Sequence, residues 1–98
     1  MTLVTTDKLL KAAQKGGYAV GAFNVNNLEI LQAIVRAAEA QNSPAILQTS
    51  EGAIQYAGLH NLAMLIRHAA KESHMPFALH LDHGRDLELI RKCIDLGY

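Results

Sequence analysis

Three short apolar segments, each ending in a polar residue, constrain the fold of this chain most strongly. They are Tyr18–Asn24, Ala45–Ser50 and Phe77–Asp82. In the stretches between them apolar residues recur with the i, i+3, i+4 spacing of amphipathic helices. Strands that alternate with helices form parallel sheets with right-handed crossover connections. The sequence therefore predicts an α/β fold, with a buried strand in each apolar segment.

The first two predicted helices have clear end signals. One covers Thr6–Lys15, with Thr6 as N-cap and a stop at the glycine pair that follows, and its apolar face comprises Leu9, Leu10 and Ala13. The second begins after Asn26, with Glu29 placed as in a capping box, and continues to about Gln41.

The later part of the chain has similar signals. Residues 51–58 read as a loop or a short helical turn, and Leu59–Ser73 keeps helical spacing. Asp86 is the predicted cap of a last helix, and Gly97 is its predicted C-terminal stop.

The third apolar segment shows how a strand of this kind divides its side chains. With a period of two, Phe77, Leu79 and Leu81 share an apolar face that can pack under helices. The opposite face starts at Ala78 and ends in His80 and Asp82, and the same rule places Gln48 and Ser50 together on the preceding strand. If these faces point into a closed parallel barrel, polar groups from three strands meet at one mouth, where β/α barrels have their active sites.

Composition excludes several classes of function. Nine basic and nine acidic residues cancel, so no charge excess indicates a nucleic acid or membrane-surface partner. No apolar run is long enough to cross a membrane, and the N-terminus does not resemble a signal peptide. The single cysteine, Cys93, fits a reducing cytoplasm and lies in a helical pattern, where we expect it in the core.

His83 and Asp82 are the leading candidates for chemistry. His83 is either a metal ligand or an ordinary surface histidine. Asp82 is either a proton-transfer group or the cap of the next segment. Because the side chains of adjacent residues point in different directions, Asp82 and His83 are poorly placed to bind the same metal ion.

Other strand-end residues have two readings each. His80, deeper on the same face, reads as a buried, hydrogen-bonded supporting residue rather than a ligand. Ser50 could either bind a phosphate group or cap a helix. Asn24 could either bind a hydroxyl group of a substrate or form hydrogen bonds to the loop backbone. Gly84 either leaves room beside His83 or supplies a turn.

No lysine stands at a predicted strand end, so covalent imine chemistry has no candidate in this sequence. The lysines all lie in predicted helices or on their polar faces: Lys8, Lys11, Lys15, Lys71 and Lys92.

Three segments together carry a resemblance to a known family: Tyr18–Asn27, Ser43–Ala53 and His80–Gly84. Over essentially its whole length the chain resembles the N-terminal part of class II, metal-dependent fructose-bisphosphate aldolases. The resemblance implies a (β/α)8 TIM barrel, to which this chain contributes the N-terminal helix and the first three β/α units. It also implies zinc-dependent, reversible cleavage of fructose 1,6-bisphosphate in glycolysis and gluconeogenesis, and a homodimer or homotetramer.

The resemblance implies a role for each candidate residue. His83 would be one of three histidines on a catalytic Zn²⁺, and Asp82 would move the proton of the C4 hydroxyl. Ser50 would contact a phosphate of the sugar substrate, Asn24 would help to bind it, and His80 would support the site.

A barrel of this kind needs about 250 residues. We therefore expect residues 1–98 to be the N-terminal part of a single barrel domain, truncated before a fourth strand. The other zinc histidines, glycine-rich phosphate loops and a mobile glutamate would lie beyond residue 98. Alone, the piece would expose its inward face and a sheet edge, and we expect it to be inactive and to bind zinc weakly.

Three alternatives remain open at this point. The first is a tagatose-bisphosphate aldolase, which differs in stereochemistry at C4. The second is an inactive fragment or interaction module. The third is an unrelated metal-dependent barrel hydrolase with a chance His-x-Asp-His sequence.

Overall fold

The computed structural model describes residues 2–98, and these form a three-stranded parallel sheet with its strands in the order β1-β2-β3. Helices and strands alternate as predicted. The elements in chain order are α1 (Thr6–Gly16), β1 (Gly21–Asn24), α2 (Leu28–Ala40), β2 (Ala45–Ser50), α3 (Glu51–Ala57), α4 (Leu59–Glu72), β3 (Phe77–Asp82) and α5 (Leu87–Asp95). No helix within residues 2–98 has both the length and the apolar character needed to cross a lipid bilayer.

Two predicted helix caps are wrong by one residue. Thr5, not Thr6, caps α1, and its hydroxyl accepts a hydrogen bond from the Lys8 backbone N–H at 3.4 Å. Asn27, not Asn26, caps α2, where its Oδ1 accepts from the Ile30 N–H at 2.9 Å. In both cases the capping residue has extended backbone dihedrals and its side chain reaches the N–H three residues on.

The remaining helix boundaries agree with the sequence signals. Residues 51–57 form the short helix α3, and α4 ends one residue before the predicted Ser73. Asp86 caps α5 through a 3.0 Å hydrogen bond from the Glu88 N–H, and Gly97 follows that helix with a φ of 101°. A left-handed glycine at this point satisfies the helix end without steric cost.

The two faces of the sheet carry two separate apolar clusters, as the period of two requires. The larger lies between the sheet and helices α2, α4 and α5, and it includes Leu47, Phe77, Leu79 and the predicted core residue Cys93. The smaller, on the opposite face, joins Leu9 of α1 to Ile46 and Ala78. Helix α1 therefore covers the N-terminal end of the inner face, so the polar residues at the C-terminal strand ends remain uncovered.

Strand β1 differs from the prediction of a buried strand. It begins only at Gly21 and every one of its residues is exposed; Phe23 retains 48% of its accessible surface. In residues 2–98 β1 is an edge strand, and none of its residues belongs to either apolar cluster, whereas the other edge strand, β3, contributes residues to both clusters. Leu10, expected on the apolar face of α1, is also exposed, at 49%.

Candidate active site

The polar residues that were predicted to meet at one end of the strands do lie at one end of the sheet, but at two different levels. Asn24, Ser50 and Asp82 are the last residues of their strands, so all three lie at the same end of the sheet. The register pairs Ser50 with Asp82, but it pairs Asn24 with Gln48 and Gln48 in turn with His80. Asn24 therefore lies one level further into the sheet than Ser50 and Asp82.

The side chain of Gln48 joins all three strands at the lower level. Its Nε2 donates to Asn24 Oδ1 at 2.9 Å and to Asp82 Oδ2 at 3.3 Å. Its Oε1 lies 3.2 Å from His80 Nδ1. A single amide thus connects the ends of β1 and β3 through the central strand.

The side chains of the adjacent residues Asp82 and His83 lie near each other. His83 Nε2 lies 3.6 Å from Asp82 Oδ1, although the two side chains differ in exposure, at 82% for His83 and 33% for Asp82. The backbone of His83 has a φ of 62°, which turns the chain at this residue. Asp82 does not cap α5, because Asp86 does so.

Gly84 lies beside apolar side chains of β3 and α5. The left-handed residue of the turn is His83, not Gly84. A Cβ at Gly84 would lie 2.7 Å from Leu81 Cδ2 and 2.9 Å from Ile90 Cγ1. A larger residue here would require the Leu81 and Ile90 side chains to shift, because the loop passes close over them.

Ser50 caps a helix, which was one of its two predicted roles. Its Oγ accepts a hydrogen bond from the Ala53 N–H at 3.0 Å and so caps α3. A serine hydroxyl that accepts a hydrogen bond still has its own proton to donate, so this role leaves room for a phosphate contact.

An open depression of about 320 Å³ lies at this end of the sheet. Glu51 closes one side of it by accepting a hydrogen bond from the Arg85 backbone N–H, which ties the β2–α3 turn to the loop after His83. The lining residues are Ser50, Glu51, Gly52, Asp82, His83 and Arg85.

His80 has the predicted hydrogen bond but is exposed rather than buried. The inner face of the sheet is covered by α1 only at its other end, so nothing within residues 2–98 covers His80. The other histidines, His60, His68 and His74, are all exposed.

The described residues do not make a complete metal site. Within residues 2–98 no three side chains of the histidine, cysteine, aspartate and glutamate types are grouped so that they could hold a metal ion. A catalytic zinc ion usually has three protein ligands. The residues that the structure describes could therefore contribute single donors to a metal ion, but they do not form a site of their own.

The parallel β/α order and the polar residues at the carboxyl ends of the strands are those of the N-terminal part of a (β/α)8 barrel. The model of the family "Fructose-bisphosphate aldolase class-II" matches residues 4–98. The chain belongs to the class II fructose-bisphosphate aldolase family, as its sequence resemblance predicted.

Individual relatives agree with this assignment. A fructose-bisphosphate aldolase of Streptococcus pyogenes is 46% identical over 101 residues, which cover 100% of this chain and 34% of the relative. Among solved structures, the YdjI aldolase of Escherichia coli K12 superposes with a TM-score of 0.91 at 28% identity, over 97% of this chain and 37% of that one.

A putative fructose-1,6-biphosphate aldolase of Coccidioides immitis gives a TM-score of 0.83 at 40% identity, over 93% of this chain and 31% of that one. The chain thus spans about a third of the length of these relatives. Its fold is that of the first three β/α units of their barrels, as predicted.

Two residues of the site were missed by sequence reasoning. The period of two placed Gln48 on the inner face, but nothing in the sequence showed that its amide would reach both neighbouring strands. Glu51 had no signal beyond its position after a strand, because its partner lies 34 residues later.

Proposed function

We propose that the whole protein cleaves fructose 1,6-bisphosphate reversibly to dihydroxyacetone phosphate and glyceraldehyde 3-phosphate, a reaction of glycolysis and gluconeogenesis. The observation that carries the proposal is the pairing of Asp82 with an exposed imidazole, His83, at a barrel strand end in a chain of this family. Because the relatives are about three times as long, we assign the activity to a single barrel domain of which residues 1–98 are the N-terminal part.

Asp82 is the proposed catalytic residue. In cleavage its carboxylate takes the proton of the C4 hydroxyl, a C4 carbonyl forms, and the C3–C4 bond breaks. The electron pair of that bond passes to the ketone half of the substrate as an enediolate. In condensation the same group returns the proton. Oδ1 is the oxygen available for this role, because Oδ2 is engaged by Gln48.

Substrate binding falls to the neighbouring strand ends. Ser50 donates its hydroxyl proton to a phosphate group while its oxygen continues to cap α3. Asn24 binds a substrate hydroxyl, and His80 supports the site through Gln48.

His83 is the proposed zinc ligand of this chain, with the other ligands supplied from outside residues 2–98. Its exposed imidazole suits this role. A bound zinc ion would polarise the substrate ketone, which is consistent with the lack of a lysine at a strand end. A cytoplasmic location and a homodimeric or homotetrameric assembly complete the proposal; the single, buried thiol is in keeping with a reducing compartment.

The test is an aldol-cleavage assay on the full-length protein and its Asp82→Asn variant. Loss of a general base should lower kcat by about 100- to 10,000-fold. Asp95→Asn is the matched control, since Asp95 is exposed at the end of α5. The assay measures release of dihydroxyacetone phosphate with and without a chelator, which we expect to abolish activity.

Full activity of Asp82→Asn, or cleavage that survives complete removal of metal, would contradict the proposed mechanism. Running the assay with tagatose 1,6-bisphosphate in parallel decides between the two substrates. No cleavage of either sugar by the wild-type protein would support the inactive-fragment alternative.

A further inference from the structure

We infer that Gln48 is a positioning residue that holds the Asp82 carboxylate in place for proton transfer. This inference rests on the proposed function. Gln48 lies on the central strand, is partly buried, and contacts residues of both neighbouring strands. Its two partners on β3, His80 and Asp82, are two residues apart on the same face, so one amide reaches both.

The chemistry of the partners determines the orientation of the amide. Asn24 Oδ1 and Asp82 Oδ2 are acceptors, so the atom of Gln48 that faces both of them must be the donating nitrogen. With the amide turned over, its oxygen would face the carboxylate oxygen of Asp82, which can only accept. Gln48 thus uses both protons of its Nε2, one for each neighbouring strand.

The remaining contact then sets the tautomer of His80. Gln48 Oε1 can only accept, so the proton between it and His80 belongs to Nδ1 of the imidazole. In its neutral form His80 therefore carries its proton on Nδ1, and Nε2 is left as an acceptor. This tautomer is a spectroscopic signature of the network that does not depend on catalysis.

The consequence for Asp82 is that its two oxygens have different tasks. Oδ2 accepts from Gln48, and Oδ1 faces the His83 side of the site at 3.6 Å from Nε2. The hydrogen bond to Oδ2 restricts rotation of the Asp82 carboxylate before substrate binds. Less rotational entropy is therefore lost when the transition state forms. Gln48 itself donates no proton to substrate in this scheme.

Two nearly isosteric variants of the full-length protein separate the contacts of Gln48. Gln48→Glu keeps an acceptor for His80 but cannot donate to Asp82, whereas Gln48→Met loses both contacts. We expect kcat to fall about ten- to hundredfold in both, the range for losing a hydrogen bond to a charged group, with KM changed less than about threefold. Only Gln48→Met should shift the ¹⁵N signals of His80 away from the Nδ1–H tautomer.

The matched controls are Gln32→Glu and Gln32→Met, since Gln32 is exposed on α2. They should leave kcat, KM and the His80 signals unchanged. A loss in Gln48 variants that appears only in KM, or an unchanged kcat, would overturn the inference. So would an Nε2–H tautomer of His80 in the wild-type protein.

These experiments distinguish failure of the Gln48 inference from failure of the proposed function. If the wild-type protein cleaves no bisphosphate, the proposed activity is wrong. The Gln48 network then stands if His80 is in the Nδ1–H form in the wild type and loses it in Gln48→Met. If that tautomer is absent or insensitive to Gln48→Met, the network falls as well.

Discussion

At the scale of single residues, the backbone of His83 is the most unusual feature of the site. A non-glycine residue in the left-handed region carries a steric cost of about 1–2 kcal/mol. That conformation turns the chain immediately after Asp82 and brings the imidazole to 3.6 Å from the carboxylate. Histidine, like asparagine and aspartate, is among the non-glycine residues that adopt this region most often.

His83→Gly should therefore not lower the free energy of unfolding, because relief of the left-handed strain offsets the added freedom of the unfolded chain. The comparison variant is His80→Gly, where the backbone belongs to strand β3 and glycine should cost about 0.5–1 kcal/mol. Urea unfolding of both variants measures the difference. Equal destabilisation of the two would show that the turn at His83 stores no strain.

At the scale of the elements, helix α1 packs on the inner face of the sheet and buries apolar side chains there. The helix is amphipathic, and its buried residues are Leu9 and Ala13. Leu9 contacts Ile46 and Ala78, which belong to different strands, so one side chain joins the helix to both. The adjacent Leu10 is 49% exposed and makes no such connection.

Leu9→Ala and Leu10→Ala thus form a matched pair. Truncating the buried leucine should lower the free energy of unfolding by about 2–4 kcal/mol, the usual cost of a cavity and lost apolar contact. Truncating the exposed one should change it by less than about 0.5 kcal/mol. Chemical denaturation followed by circular dichroism checks both. Similar losses would mean that α1 is packed in a different rotational setting.

At the scale of the whole molecule, the buried ionisable groups link stability to alkaline pH. Burial raises the pKa of the Cys93 thiol from its ordinary 9.0. Burial also raises the pKa of Tyr98 from 10.0, with a smaller contribution from Cys93, while the 2.7 Å hydrogen bond to Thr49 opposes the rise. The folded chain therefore keeps these protons at pH values where the unfolded chain has released them.

The sign of the effect follows from this difference. The contribution of these groups to stability is fully present below about pH 9 and is lost as the pH rises through the raised pKa values. We expect the urea midpoint to fall as the pH rises above about 9, and to fall less steeply in Cys93→Ala and Tyr98→Phe. The same slope in wild type and variants would exclude these two groups as its cause.

The order of helices and strands, the polar strand ends and the choice of inner face were all readable from the sequence. Each is encoded locally, in the period of two along a strand, in the 3.6-residue period along a helix, and in residues that start or stop them. The exposure of β1 was not readable in this way, because burial depends on which strands lie beside it. The sequence segments at the strand ends were also enough to predict the family.

Only the tertiary structure decided how the site residues meet. The contacts of Gln48 join residues 24 and 34 positions apart, and the bond from the Arg85 N–H to Glu51 spans 34 positions. No local pattern encodes such pairings, because they depend on the register between parallel strands. The sequence by itself thus determined which groups lie at the carboxyl ends of the strands, while the packing of the sheet determined that the Gln48 amide connects Asn24, His80 and Asp82.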